Sequence, residues 1–361
     1  MHILHTAEAG FEAARRIDAL PAGHPKQRLH GHSFVARLRG TTDAGWAAFA
    51  GGEVDQLRRQ LTAGVQVLDH SCLNDHVPSP TDTQLARWLH QRLQGDGLHL
   101  QQVGVQSTRT SGVEIDAQGQ AHVWRRYVLH AAHQLPNVPE GHKCGRMHGH
   151  GFEVLLHARQ SGATPVDADQ LDAQWAPLHR LLDHACLNDI PGLQNPTSEV
   201  MSGWLWRQLK PLLPELSWVT VFETASCGAS HDGQHYRIWK EMTLDSAVRL
   251  RHAPEHSPLQ RLHGHTFTLR LHLCAPLDEV MGWTVDFGDV KRLFDPIFKA
   301  LDHRPLHELA GLPDCDCASL ARWVLRQAGS ELPALNRVDL HETPGCGAVA
   351  LLGDSEAALP I

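Results

Sequence analysis

The sequence predicts an α+β protein of three tandem ββααββ modules. Their antiparallel sheets join into one twelve-stranded, pseudo-trimeric barrel with the helices outside. The first supporting observation is a repeat. His-Gly-His, one further residue and Phe recur at His30-Gly31-His32-Ser33-Phe34, His148-Gly149-His150-Gly151-Phe152 and His263-Gly264-His265-Thr266-Phe267, with starts 118 and 115 residues apart, the length of a small domain. The second is that other landmarks keep the same phase. Leu-Asp-His follows at Leu68-Asp69-His70, Leu182-Asp183-His184 and Leu301-Asp302-His303. A Trp comes next at Trp88, Trp204 and Trp323, and 19 residues beyond each Trp stand Ser107, Glu223 and Glu342. The third is the shortness of the junctions between copies, which leaves no room for beads on a string.

Each element of a module has its own signal. After His-Gly-His the chain alternates with period two, most clearly where Phe267, Leu269, Leu271 and Leu273 interleave with Thr268, Arg270 and His272, a half-buried antiparallel strand. Ahead of each Leu-Asp-His lies a helix. Val290, Leu293, Phe294, Ile297, Phe298 and Leu301 recur at helical spacing. A second helix carries the Trp, as in 198–209, introduced by Pro196 and Thr197. A strand follows at Trp218-Val219-Thr220-Val221-Phe222-Glu223. The junctions Asp116-Ala117-Gln118-Gly119-Gln120 and Ser230-His231-Asp232-Gly233-Gln234 read as hairpin turns, so the last strand of one copy should pair with the first of the next. A continuous sheet of this size avoids exposed edges by closing on itself. The module boundaries expected are 1–118, 119–236 and 237–361.

Composition narrows the class. A 361-residue chain that is 42% hydrophobic can form several cores, yet no apolar run approaches the roughly 18 residues of a membrane span. The formal net charge of −8 offers no basic footprint for nucleic acid. The segment from Met1 to Gly10 lacks the pattern of a secretory signal, and the 8 cysteines fall in no regular pairing pattern, so a reducing, cytoplasmic setting is the expectation.

The chemistry concentrates in the second copy. His148 and His150, two apart on a strand, project to one face and form half a metal site, which His133 on the preceding strand can complete. At the same offset the other copies are read as holding Arg15 and Arg249, a guanidinium in place of the metal. Four residues before the second His-Gly-His stands Cys144, where the other copies have Lys26 and Leu259. Beside a dication this thiol should have a lowered pKa and act as base or nucleophile. Asp183-His184 can be a carboxylate orienting an imidazole for proton transfer, or a helix-terminal pair kept for packing. Glu223 can accept paired hydrogen bonds from an amidine-like edge, or be an exposed strand end.

The second copy resembles the 6-pyruvoyl-tetrahydropterin synthase family, and within it the carboxy-forming type. The resemblance is carried by 138–150 (Val-Pro-Glu-Gly-His-Lys-Cys-Gly-Arg-Met-His-Gly-His), 182–193, Asn195-Pro196-Thr197-Ser198-Glu199 and Val221-Phe222-Glu223-Thr224, and covers nearly all of that copy. It implies the tunnelling fold and one Zn2+ per chain on His133, His148 and His150. Cys144 becomes the base, Asp183 and His184 its proton-relay partners, and Glu223, with Thr197 and Glu199, the pterin pocket. The implied reaction converts 7,8-dihydroneopterin triphosphate to 6-carboxy-5,6,7,8-tetrahydropterin, with a pyruvoyl-type enzyme or a non-catalytic pterin binder as alternatives. Such enzymes resemble stacked trimers with sites between subunits, so one chain should fill a trimer and two chains form a homodimer. The working Asp-His pair then has three sources, Asp69-His70, Asp183-His184 or Asp302-His303. Two departures stand out. Thr164-Pro165-Val166-Asp167-Ala168-Asp169 replaces the family's Gly-rich turn and Asp-Phe, which the third copy keeps as Asp286-Phe287. The outer copies lack most site residues and read as remnants that complete the barrel.

Overall fold

The computed structural model describes residues 1–161 and 165–353, so Thr164 of the departing segment lies outside the described residues. Module one contributes strands β1 (His2–Arg15) and β2 (His30–Thr42), helix α1 (Glu53–Val65), a two-residue strand β3 (Ser71–Cys72), helix α2 (Asp82–Leu93), and strands β4 (Leu98–Thr108) and β5 (Ser111–Asp116). Module two repeats the order with β6 (Ala121–His133), β7 (His148–Arg159), α3 (Ala168–Leu182), β8 (Ala185–Cys186), α4 (Ser198–Leu209), β9 (Leu216–Thr224) and β10 (Cys227–His231). Module three has β11 (Tyr236–Val248), β12 (His263–Cys274), α5 (Phe287–Leu301), α6 (Cys317–Ala328), β13 (Leu335–Thr343) and β14 (Cys346–Leu351). Its counterpart of β3 and β8 is a single bridge, Ala247 to Pro305.

The long strands run as one antiparallel sheet, β5 pairing with β6, β10 with β11 and β14 with β1. That last pairing, His2 opposite Leu351 through Thr6 opposite Gly347, closes the barrel and removes both free edges. At a matched place in each module, opposite Arg39/Gly40, His157/Ala158 and His272/Leu273, the partner strand β4, β9 or β13 carries one extra residue, Gln101, Ser217 or Asn336. The expected hairpin junctions are present, with Gly119 and Gly233 at positive φ of 79° and 95° in their turns.

Alternation sorts the side chains. Phe34, Phe152 and Phe267, with the residues two and four further on, join the apolar core between sheet and helices. The opposite face lines the barrel interior and is polar, where Arg39, Gln102 and Glu114 of module one meet His157 of module two and Asp339 of module three around one cavity. Every helix but α1 starts on a side-chain cap. Thr81 and Thr197 accept from the third residue on, and Asp167 closes a capping box with Gln170, so the departing segment of module two still starts a helix. Among the described residues no helix is long and apolar enough to cross a membrane, and all eight cysteines are free.

Candidate functional site

Register brings the three histidines together. His133 lies opposite His148 and Ala131 opposite His150 across the β6–β7 pair, so all three imidazoles share one face. His133 is 4.5 Å from His148 and 5.2 Å from His150, ring centre to ring centre. Their ligand atoms all fall within 4.8 Å of one another. Tautomers are set from behind: the Nδ1–H of His133 donates to Pro196 O at 3.0 Å, and that of His148 to Arg146 O at 2.8 Å. Among the described residues, His133 Nε2 and His150 Nε2 are then buried without a hydrogen-bond partner. Orphaned imidazole nitrogens converging on one point fit a bound metal ion. Burial holds the His133 ring neutral by lowering its pKa to about 4, and burial lowers His150 as well. Neutral imidazoles are the form that ligates.

The remaining residues close around this point. Cys144 sits in a single 3-10 turn (Lys143–Gly145) whose cap is His142; the Cys144 N–H donates to His142 Nδ1 at 3.2 Å. His142 Nε2 in turn lies 3.4 Å from Asp286 of module three. Burial, then the field of Glu223, pushes the Cys144 thiol up when only the protein's own groups act on it. The lowered pKa expected beside a dication would have to come from the charge of the ion itself. Glu223, next to last on β9, has its Oε1 3.6 Å from His150 Nε2, and burial raises its carboxyl.

Thr197 and Glu199 lock module two to module three. The Thr197 hydroxyl donates to Gly282 O, and Glu199 accepts from the Thr284 N–H at 2.8 Å. Glu199 is 1% exposed, and burial raises its carboxyl to about 7.

A cavity of about 850 Å³ opens onto these groups. Cys144, His148, His150, Thr197, Glu199 and Glu223 line it from module two. The facing wall is module three: Lys240, Trp283, Val285, Asp286, Phe287 and Lys291. Sequence reasoning missed that wall. Its one visible signal was the Asp286-Phe287 pair retained in module three but not in module two, which marks module three as the provider of a pocket face rather than a remnant.

Two expectations need correction. Asp183 and His184 do not meet Cys144 within the chain. The Asp183 carboxylate accepts from the His130 N–H at 2.8 Å and from His184 Nδ1 at 2.9 Å, while His184 N–H donates to His130 O at 2.6 Å. His130 is an odd number of residues from His133 and so faces the other side of the strand. The pairs Asp69-His70 and Asp302-His303 clip Glu12 and Asp245 in the same way, each His at positive φ (52° and 55°), and none of the three pairs lines the cavity. The second correction concerns module three. Val248, not Arg249, lies opposite His263, so the vacant ligand position holds an apolar side chain.

Fold and site together define a three-module barrel protein with, among the described residues, one candidate tri-histidine metal centre and a thiol in the same cavity. The family model described as 6-pyruvoyl tetrahydropterin synthase matches three times, over residues 5–118, 122–234 and 237–351. The chain belongs to that family. It is 35% identical over 119 residues to 6-carboxy-5,6,7,8-tetrahydropterin synthase of Synechocystis sp., which spans 30% of this chain and 91% of that protein. It is 31% identical over 109 residues to dihydroneopterin monophosphate aldolase of Pyrococcus furiosus, 29% of this chain and 89% of that protein. The solved 6-pyruvoyl tetrahydropterin synthase of Caenorhabditis elegans aligns at 19% identity and a TM-score of 0.29, covering 32% of this chain and 95% of that one.

Proposed function

We propose that the chain is a zinc-dependent lyase that converts 7,8-dihydroneopterin triphosphate to 6-carboxy-5,6,7,8-tetrahydropterin, as in queuosine formation. Acetaldehyde and triphosphate leave and one water is taken up, which balances the atoms. The observation that carries the reading is the convergence of the three histidine nitrogens, with His148 and His150 lining one cavity together with Cys144 and Glu223.

His133, His148 and His150 would hold the ion. A bound zinc supplies Lewis acidity toward the substrate's side-chain hydroxyls. Glu223, which lines the cavity, accepts hydrogen bonds from the amidine edge of the pterin, and its largely desolvated position makes those bonds strong. Cys144 takes the side-chain proton; its turn is braced by the His142–Asp286 contact, so the thiol is aimed by both modules. Glu199 and Thr197 fix the pocket wall against module three. A relay by Asp183-His184 needs a second chain, in keeping with a homodimer of pseudo-trimers; full turnover by a protein whose native mass is one chain would dispose of it.

The test is mass spectrometry of the products formed from 7,8-dihydroneopterin triphosphate, with Cys144→Ala as control. Acetaldehyde together with the 6-carboxy product supports the reading. A pyruvoyl product redirects it to the other reaction type, and metal-loaded protein that turns nothing over redirects it to a pterin binder.

A further inference from the structure

The wall that module three contributes carries charge that the other module boundaries do not. Strand register matches Lys240 on β11 to Arg125 on β6. Counting back from Leu-Asp-His matches Lys291 on α5 to Asp172 on α3. Where modules one and two meet, Arg125 and Asp172 form a two-pronged ion pair, Nε to Oδ1 at 2.8 Å and Nη2 to Oδ2 at 2.5 Å, and the Tyr127 hydroxyl donates to the same carboxylate at 2.9 Å. Lys26, in the place of Cys144, lies 3.7 Å from Asp169. Where modules three and one meet, the matched positions are Ala7 and Arg58, and Arg58 pairs with Asp55 at 2.9 Å. Cations at those two boundaries are thus neutralised from within or absent.

At the boundary of modules two and three the carboxylate has become a second lysine. Lys240 and Lys291 both line the cavity, together with Lys143 and Arg146. Among the described residues no carboxylate stands within ion-pair distance of any of the four, and Lys240 Nζ donates only to the Ser226 hydroxyl, at 3.2 Å. Asp286 and Glu223 share the cavity, but neither is within ion-pair distance of Lys240 or Lys291, and Asp286 faces His142 at 3.4 Å; two ammonium groups with unspent donors are a receptor for phosphate oxygens. We infer that Lys240 and Lys291 hold the oligophosphate arm of the ligand whose pterin end rests on Glu223. The inference builds on the pterin reading of this site and gives module three a specificity role.

Isothermal titration of the metal-loaded full chain tests it with two probes, inorganic tripolyphosphate and unphosphorylated 7,8-dihydroneopterin. Lys240→Gln with Lys291→Gln should weaken tripolyphosphate roughly 10-fold or more and leave dihydroneopterin within about 2-fold. Lys240→Arg with Lys291→Asp rebuilds the ion pair that the first boundary already folds, so its unfolding temperature should stay put while its tripolyphosphate affinity falls equally. Unchanged tripolyphosphate affinity in both variants overturns the inference, as does a folded variant that loses both probes alike, or wild-type protein that binds no tripolyphosphate. Lysine-dependent tripolyphosphate binding without turnover of the pterin triphosphate keeps the subsite and removes the reaction.

Discussion

Modules one and two place different groups at the same points of the same fold. In module two, His133 donates to Pro196 O and turns a bare nitrogen toward His148 and His150. In module one, Arg15 stands at that register position opposite His30, and its Nη1 donates to the matched carbonyl, Pro80 O, at 2.9 Å. The guanidinium then reaches 2.6 Å to Asp82, and the Ser107 hydroxyl, in the place of Glu223, donates to the same carboxylate at 2.6 Å. Arg15 is 3% exposed and lies 5.0 Å over the Phe34 ring. A buried cation therefore occupies the metal's surroundings, and one carboxylate has shifted place to balance it. The lesson is that the outer modules fill the position of His133 in two different ways, module one with a buried, paired cation and module three with an apolar side chain. Module three takes the second route with Val248, leaving Glu342 to accept from the Cys317 thiol at 3.5 Å.

The comparison breaks most sharply at the ligands. His133→Ala should remove the metal and lower turnover by about 10³-fold or more, whereas any change at Arg15 should leave the metal in place; elemental analysis showing full metal in His133→Ala would end the assignment. Three metals per wild-type chain would end the claim that the outer modules are vacant. Cys144→Ala comes next, with a loss on the order of 10²–10⁴ in kcat at unchanged metal content. A variant that keeps normal turnover would show that the thiol is not the base. Arg15→Ala strands Asp82 and should cost about 3 kcal/mol in urea unfolding, a cost that Asp82→Ala in the same chain should partly relieve. A cost below about 0.5 kcal/mol would place Arg15 among exposed pairs that contribute little.

The smallest effect is a slope. The Glu199 carboxyl rises from its ordinary 4.5 to about 7 through burial, so between those values the folded chain holds a proton that the unfolded chain has released. Its contribution to stability is complete below about 4.5 and is lost as pH rises toward 7. Glu199→Gln should flatten the stability profile across that window, and an identical profile would show that another group sets it.

Much of the site was legible because its signals are local. Two histidines separated by one glycine on a strand must share a face, and the 15-residue interval from His133 to His148 is preserved by a hairpin of fixed register. The same arithmetic, miscounted by one residue, placed Arg249 where Val248 stands, since a one-residue slip exchanges faces. The Asp-His pair was misplaced for a related reason. Its motif reads as catalytic chemistry in isolation, and only the clip to His130 shows which side of the strand it occupies.

By itself the sequence determined the module, its triple repetition, the closed sheet and the one copy equipped to ligate a metal, since strand parity and helical spacing are written residue by residue. Tertiary structure alone decided that module three forms the opposite wall, that Lys240 and Lys291 face the cavity without carboxylate partners, and that all three Asp-His pairs look elsewhere. These contacts join segments as far apart as His142 and Asp286 through the β10–β11 boundary and the packing of α5 beside it. No local periodicity encodes which surfaces a closed barrel will bring together.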